Sequence, residues 1–153
     1  MDNASARNMW GDYLDNHLED AFAEAPKTVH FCHNEKDANE LAGLVKKGIK
    51  KATASLHCLY EIENETIPKV GDYIIITNWN GIAQCVIHIT NINIIPFKNV
   101  TQAFAAKEGE GDKTLSFWRK VHRKFFTLEL KEYSKKFSED MLVICEEFEV
   151  VYQ

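Results

Sequence analysis

Lys50 and Thr53 stand three residues apart where a helical pattern gives way to a strand-like one, and Glu108 and Glu110 lie in a glycine-rich loop farther along. These are residue types suited to amide hydrolysis. A lysine in a poorly hydrated pocket has a lowered pKa and acts as a base. A threonine hydroxyl within its reach becomes a nucleophile. A glutamate across the pocket protonates a leaving amine. The geometry sets a condition, because residues three apart on a regular strand face opposite sides. Lys50 and Thr53 converge only if a turn or bulge lies between them, and Gly48 supplies the backbone freedom for one. The same stretch also reads as a capped helix end followed by a strand, with Gly48 as C-cap and Lys46 and Lys47 complementing the dipole.

The acidic loop has more than one reading. Glu108, Glu110 and Asp112 offer oxygen ligands of the kind Mg²⁺ or Mn²⁺ takes. They equally suit loop amides, or pairing with Lys50 or Arg119. The calcium-loop pattern is not completed, and no metal or cofactor is assigned. His122 and Trp118 fall on an aromatic helical stripe and read first as core. Trp79 sits beside a hairpin tip and reads as partly exposed. Either tryptophan would stack on a base if it bordered the pocket. No Walker A loop, dinucleotide fingerprint, H-E-x-x-H or G-x-S-x-G occurs, which removes several large enzyme classes.

The elements that must position these residues follow from periodicity. Residues 5–24 carry Met9, Trp10, Tyr13, Leu14, Leu18, Ala21 and Phe22 on one stripe, predicting an amphipathic helix capped by Ser5 and stopped by Pro26. A short strand is expected over Thr28–His33, then a helix from Glu35 to Lys47 capped by Asn34. Ala52, Ala54 and Leu56 alternate with Thr53, Ser55 and His57, predicting a strand that runs to Tyr60. Tyr73–Thr77 is rich in β-branched residues. Asn80-Gly81 is the strongest hairpin signal, pairing that strand with Ile82–Ile95. Helices are expected from about Asn99, capped in a box with Gln102, and from Lys113 to Leu130. Met141–Tyr152 reads as a final strand whose alternation is broken by Glu146-Glu147. This order lacks βαβ alternation and predicts α+β, a mostly antiparallel sheet with packed helices.

Length and charge narrow the field. One domain fits 153 residues, with 45% hydrophobic residues to build a core. The four cysteines are scattered without a C-x-x-C pair, which reads as buried thiols of a reducing, cytoplasmic compartment. No apolar run reaches spanning length, so no membrane association is expected. A net charge of -5 argues against general duplex binding. Two local basic clusters remain: Lys46, Lys47, Lys50 and Lys51, and then Lys113, Arg119, Lys120, Arg123 and Lys124 with no acid between them. Such clusters suit a small anionic ligand or a few phosphates.

Taken together, several stretches resemble one family. Gly48-Ile49-Lys50-Lys51-Ala52-Thr53 is similar to the G-x-K-x-x-T motif of the ASCH domain family. Its bacterial single-domain branch is resembled by Ile67-Pro68-Lys69-Val70-Gly71-Asp72, by Pro96-Phe97, and by Ala105–Asp112. Leu115, Trp118, Arg119, His122, Phe125 and Phe126 continue the likeness, which runs in order from about Val29 to Tyr152. The resemblance implies a PUA-like β-barrel with flanking helices over 28–153 and an N-terminal helical extension over 1–27. It implies binding of RNA or a modified nucleoside in a cleft lined by the motif turn, with no protein partner identifiable. Small members of the family hydrolyse N4-acetylcytidine, which carries the roles of base, nucleophile and acid onto Lys50, Thr53 and Glu108, with Glu110 as rival acid. Ser55, Glu110, Trp79, Trp118, Arg119 and His122 are the substrate-binding candidates. Other members are metal-dependent ribonucleases, a third expectation.

Overall fold

The computed structural model describes residue 1 and residues 3–153. Its helices are α1 (Ala4–Asn16), α2 (Glu35–Lys46), α3 (His57–Ile62), α4 (Gln102–Glu108) and α5 (Leu115–Lys131). Its strands are β1 (Lys27–Val29), β2 (Ala52–Leu56), β3 (Tyr73–Thr77), β4 (Ala83–Pro96) and β5 (Leu142–Tyr152). The strands form one sheet in the order β1-β3-β4-β5-β2. β1 runs parallel to β3, while β3–β4 and β2–β5 are antiparallel. The class is α+β, as expected, with a mixed sheet. The chain divides into two compact units, the first comprising Met1–Lys50, Lys69–Thr90 and Phe148–Gln153, the second Lys51–Pro68 and Asn91–Glu147.

In the first unit, Asn3 caps α1 by accepting from the Ala6 amide at 3.0 Å. Ala6, Trp10 and Tyr13 are buried with Ile75 of β3 and Val86 of β4. Asn34 caps α2, accepting from the Asp37 amide at 2.9 Å. Ala42 and Val45 of α2 join Phe31, Ile76, Cys85, Ile87 and Phe148 in a second apolar cluster. Gly48 follows α2 with φ of 72°, the left-handed conformation its position demanded.

In the second unit, Leu56, Leu59, Phe97, Val100, Phe104, Trp118, Phe126, Leu130, Val143 and Cys145 build the core. Thr101 caps α4 and Thr114 caps α5, each accepting from the amide three residues on. The Gln102 amide also ties the two starts together, accepting from the Leu115 N–H at 2.7 Å and donating to the Lys113 carbonyl at 3.0 Å.

Four local expectations are corrected. The first helix stops at Asn16 rather than near residue 24, and Leu18–Asp20 form a 3-10 turn. The apolar stripe continues past that point, but Leu18 and Phe22 are exposed, so no packing rewards further helix. The β1 segment is three residues long, and the backbone turns away at Cys32, where φ is 59°. The β2 strand ends at Leu56, and α3 replaces the strand expected up to Tyr60. Leu56, Leu59 and Ile62, three apart, all meet the core, which is a helical period. Asn99 lies in a 3-10 turn, and Thr101 takes the capping role expected of it.

Candidate functional site

Glu108 ends α4, and its carboxylate is 1% exposed. Gly109, with φ of 68°, stops the helix, and Gly111 (φ of 57°) continues the reversal. A side chain at position 111 would meet the Phe117 ring at 2.3 Å, so only glycine lets the chain pass so close. Asp112 Oδ1 then accepts from both the amide and the hydroxyl of Thr114, starting α5. This tight return brings Glu108 against the face of α5 that carries Trp118 and His122, four residues apart.

The indole Nε1–H of Trp118 donates to Glu108 Oε2. His122 Nε2 lies 3.0 Å from the same oxygen. The two rings stack, with centroids 4.1 Å apart and planes 14° from parallel. His122 Nδ1 donates to the Trp118 carbonyl at 2.9 Å. Burial alone would push the imidazole toward its neutral form. The charge and hydrogen bond of Glu108, the charge of Glu110 and the Trp118 carbonyl together outweigh it, so the His122 pKa is raised above its ordinary value. Glu110 is half-buried, and a carboxylate oxygen from each glutamate and a ring nitrogen of His122 lie within 4.8 Å of one another. That donor set of two carboxylates and an imidazole suits a divalent cation.

Thr53 is half-buried on β2, opposite Glu146 of β5. Alternation and pairing place Thr53, Ser55, Ile144 and Glu146 on one face of this strand pair. The Ser55 hydroxyl meets the Tyr60 hydroxyl at 3.1 Å. The Lys51 amide donates to the Lys107 carbonyl at 2.8 Å, which sets the backbone two residues before Thr53 against the residue preceding Glu108. Lys107 also pairs with Glu147.

Lys50 is the last residue of the first unit and is 2% exposed. Its ammonium sits 5.2 Å from the centroid of the Phe31 ring. Trp79 packs edge-on to His30, and its amide donates to the Asn39 side chain at 3.0 Å. Arg119 points from α5 to the Lys98 carbonyl at 3.2 Å, and its Nε is buried without an acceptor. Glu108, Glu110, Trp118 and His122 thus form one group, while Arg119 and Ser55 engage other partners.

Two features escaped the sequence reading. Glu146 is a buried acid, 6% exposed, facing the strand that carries Thr53. Its signal was the pair of acids interrupting an apolar strand. The other is a shallow basic groove of about 580 Å³ beside α5, lined by Arg123, Lys131, Lys135 and Lys136 among others. Only Arg123 belonged to a cluster visible as a run. Lys131 closes α5, and Lys135 and Lys136 come from the chain that follows it. Among the described residues, no helix is long and apolar enough to cross a membrane, and none of the four cysteines is in a disulfide.

The ASCH domain family model matches residues 27–152. The ASCH domain crystal structure from Lactobacillus crispatus JV V101 superposes with a TM-score of 0.92 at 37% identity, covering 97% of this chain and 95% of that one. Protein EF3133 from Enterococcus faecalis V583 gives a TM-score of 0.89 at 35% identity, covering 97% and 88%. The hypothetical protein PH0355 shares the fold, with a TM-score of 0.52 at 23% identity over 82% of this chain and 97% of that one. No curated protein matches the chain. With the family match spanning β1 through β5 and every element between them, the chain belongs to the ASCH domain family.

Proposed function

We propose that this ASCH domain binds RNA or a modified nucleoside, with Glu108 as a buried acceptor for the N–H groups of a base. The Glu108 carboxylate carries this reading. Removing such a group from water costs several kcal/mol, which only close partners offset. Here two ring N–H groups meet one of its oxygens. A carboxylate so fixed in dry surroundings suits an exocyclic amino or amide group, the contact acids make with cytosine N4. The cations of the groove beside α5 offer partners for phosphates. Titration with short single-stranded RNAs and with N4-acetylcytidine, at two salt concentrations, tests the proposal. Saturable binding of either that weakens in Glu108→Gln is expected. Failure of both to bind sinks it.

A second reading, amide hydrolysis, is favoured by the burial of Lys50 and by the hydrogen bond that ties Lys51, two residues before Thr53, to Lys107, the neighbour of Glu108. Lys50 would take the Thr53 hydroxyl proton as the oxygen attacks the acetyl carbonyl. The amine would leave with a proton from Glu108, and water would then release acetate and restore Thr53. Chromatography after incubation with N4-acetylcytidine should show cytidine, and Thr53→Ala should abolish it. Unchanged turnover in that variant would remove the mechanism. The ribonuclease reading rests on the donor set of Glu108, Glu110 and His122. It requires RNA cleavage that appears with added Mn²⁺ or Mg²⁺ and is lost in Glu110→Gln.

A further inference from the structure

We infer that the ligand of this domain is a single-stranded RNA chain rather than a free nucleoside, with the basic side of α5 as the track for its phosphates. This deepens the RNA reading proposed above and rests on it.

One helical spacing builds the track. Lys120, Arg123, Lys124, Thr127 and Lys131 recur at intervals of three and four and so share one stripe of α5. From Lys120 to Lys131 the stripe runs about 16 Å. Two adjoining hollows follow it, of about 340 and 580 Å³, both lined by Arg123 and Thr127. The chain beyond the helix extends it. The Ser134 amide donates to the Lys131 carbonyl at 3.2 Å, and the Lys135 amide to the Leu130 carbonyl at 3.1 Å. These are the two hydrogen bonds of a Schellman turn, with Ser134 in the left-handed position at φ of 55°. The reversal puts Lys135 and Lys136 in the wall of the larger hollow with Lys131.

Charge on this side is not balanced from within. Arg123 pairs with Glu139 at 2.8 Å. Among the described residues, no carboxylate pairs with Lys120, Lys124, Lys131, Lys135 or Lys136. The acids at this end of α5 gather elsewhere, with Glu63 and Glu132 acting on a half-buried Glu129. Lys120 and Lys124, four apart, repel each other, and a bound anion removes that cost. The helix dipole accounts for a cation in the last turn, such as Lys131, but its effect fades before Lys120 and Lys124. Phosphate oxygens accept from ammonium and hydroxyl groups, and bases stack on rings. The larger hollow offers the Ser134 hydroxyl and the half-buried Phe137 ring beside its lysines. A lipid surface calls for a broad apolar face next to the cations, and the stripe itself carries no apolar residue.

The need for a chain follows from where the track lies. At 3.6 residues per turn, Lys120, Lys124 and Lys131 face away from His122, against which Glu108 docks. The lysines are exposed, while Trp118 and His122 are buried. A helix with its side chains is about 10 Å across. A nucleoside held at Glu108 therefore does not reach the track, whereas a strand of several nucleotides passes round α5 to engage both.

Fluorescently labelled oligocytidylates of increasing length, up to about ten nucleotides, test this on the full chain. Affinity should climb with length. The combined variant Lys124→Gln, Lys131→Gln, Lys135→Gln should weaken binding of the longest oligomer about thirtyfold at about 0.1 M salt, and lower the slope of log affinity against log salt by about two. A control that removes the same charge, Lys27→Gln with Lys36→Gln and Lys69→Gln, should weaken it by less than about twofold. All six lysines are exposed, and matching unfolding midpoints establish that the variants fold alike. Unchanged affinity and slope in the α5 variant would overturn the inference and leave the Glu108 site standing. An equal loss in both combined variants would also overturn it, because binding would then follow net charge alone. So would displacement of the RNA by polyglutamate of equal charge, which would make the partner an acidic protein, or binding of N4-acetylcytidine without binding of any oligomer. If the wild-type protein binds neither oligocytidylate nor N4-acetylcytidine, the function proposed above fails and the track fails with it.

Discussion

Two carboxylates in this protein each accept hydrogen bonds from a pair of ring-borne donors. Asp20, in the first unit, accepts from the Tyr13 hydroxyl at 2.5 Å and the Tyr73 hydroxyl at 3.0 Å. Glu108, in the second, accepts from Trp118 and His122. Both clusters stack a histidine on the aromatic ring four residues before it, His17 on Tyr13 and His122 on Trp118. They differ in burial and in the donors. Asp20 is only partly buried and its donors are neutral phenols, so it fastens the turn after α1 to β3. Glu108 is buried and one of its donors is ionisable. The same hydrogen-bond pattern is a fastening where water competes, and an electrostatic device where water is excluded.

The pH behaviour of the two clusters runs in opposite directions. The Tyr13 hydrogen bond holds Asp20 below its ordinary 3.8, against burial, helped by Tyr73 and by the charges of His17 and His88. A folded-state pKa lower than the unfolded one means the contribution is present above 3.8. It is lost as pH falls through the folded value. The His122 pKa is raised above 6.5. Its contribution is therefore complete below 6.5 and is lost as pH rises through the folded value.

The comparison can be broken most severely at Glu108. Glu108→Ala strips the buried His122 and Trp118 rings of their shared partner and should cost about 3 kcal/mol of folding stability at pH 6. Urea unfolding measures this, and a loss under 1 kcal/mol would show that burial adds nothing to the contact. Trp118→Phe removes one donor to a charged acceptor while keeping an aromatic ring, and about 1.5 kcal/mol is expected to go. Tyr13→Phe does the equivalent at the wetter site, where about 1 kcal/mol is expected. A loss there matching that of Glu108→Ala would erase the distinction drawn from burial. The smallest effects sharpen it through pH. The stability difference between wild type and Tyr13→Phe should shrink below pH 3, while that between wild type and Glu108→Gln should shrink on the alkaline side. If both differences shrink in acid, the His122 pKa is not raised and the contrast between the clusters fails.

Much of the fold was legible because it rests on local rules. The hairpin of β3 and β4, the caps Asn34 and Gly48, and the long α5 all follow from turn chemistry or periodicity read over a few residues. Asp20 was hidden because the apolar stripe suggested helix through residue 24, where an acid looks like solvated surface. Its role exists only because α1 stops at Asn16 for want of a surface to cover. Trp118 and His122 were identified as residues of interest, but their aromatic stripe predicted core. The stripe is core, and it is also where Glu108 docks. That contact depends on a reversal through Gly109 and Gly111 whose direction no periodicity encodes.

Gly111 leaves the connection between α4 and α5 with almost no room for a side chain. Even a methyl group there would collide with Phe117, the residue immediately before Trp118, and would have to adopt a backbone twist it disfavours. Any side chain at position 111 would therefore have to displace the Phe117 ring at the start of α5 before the chain could make this turn.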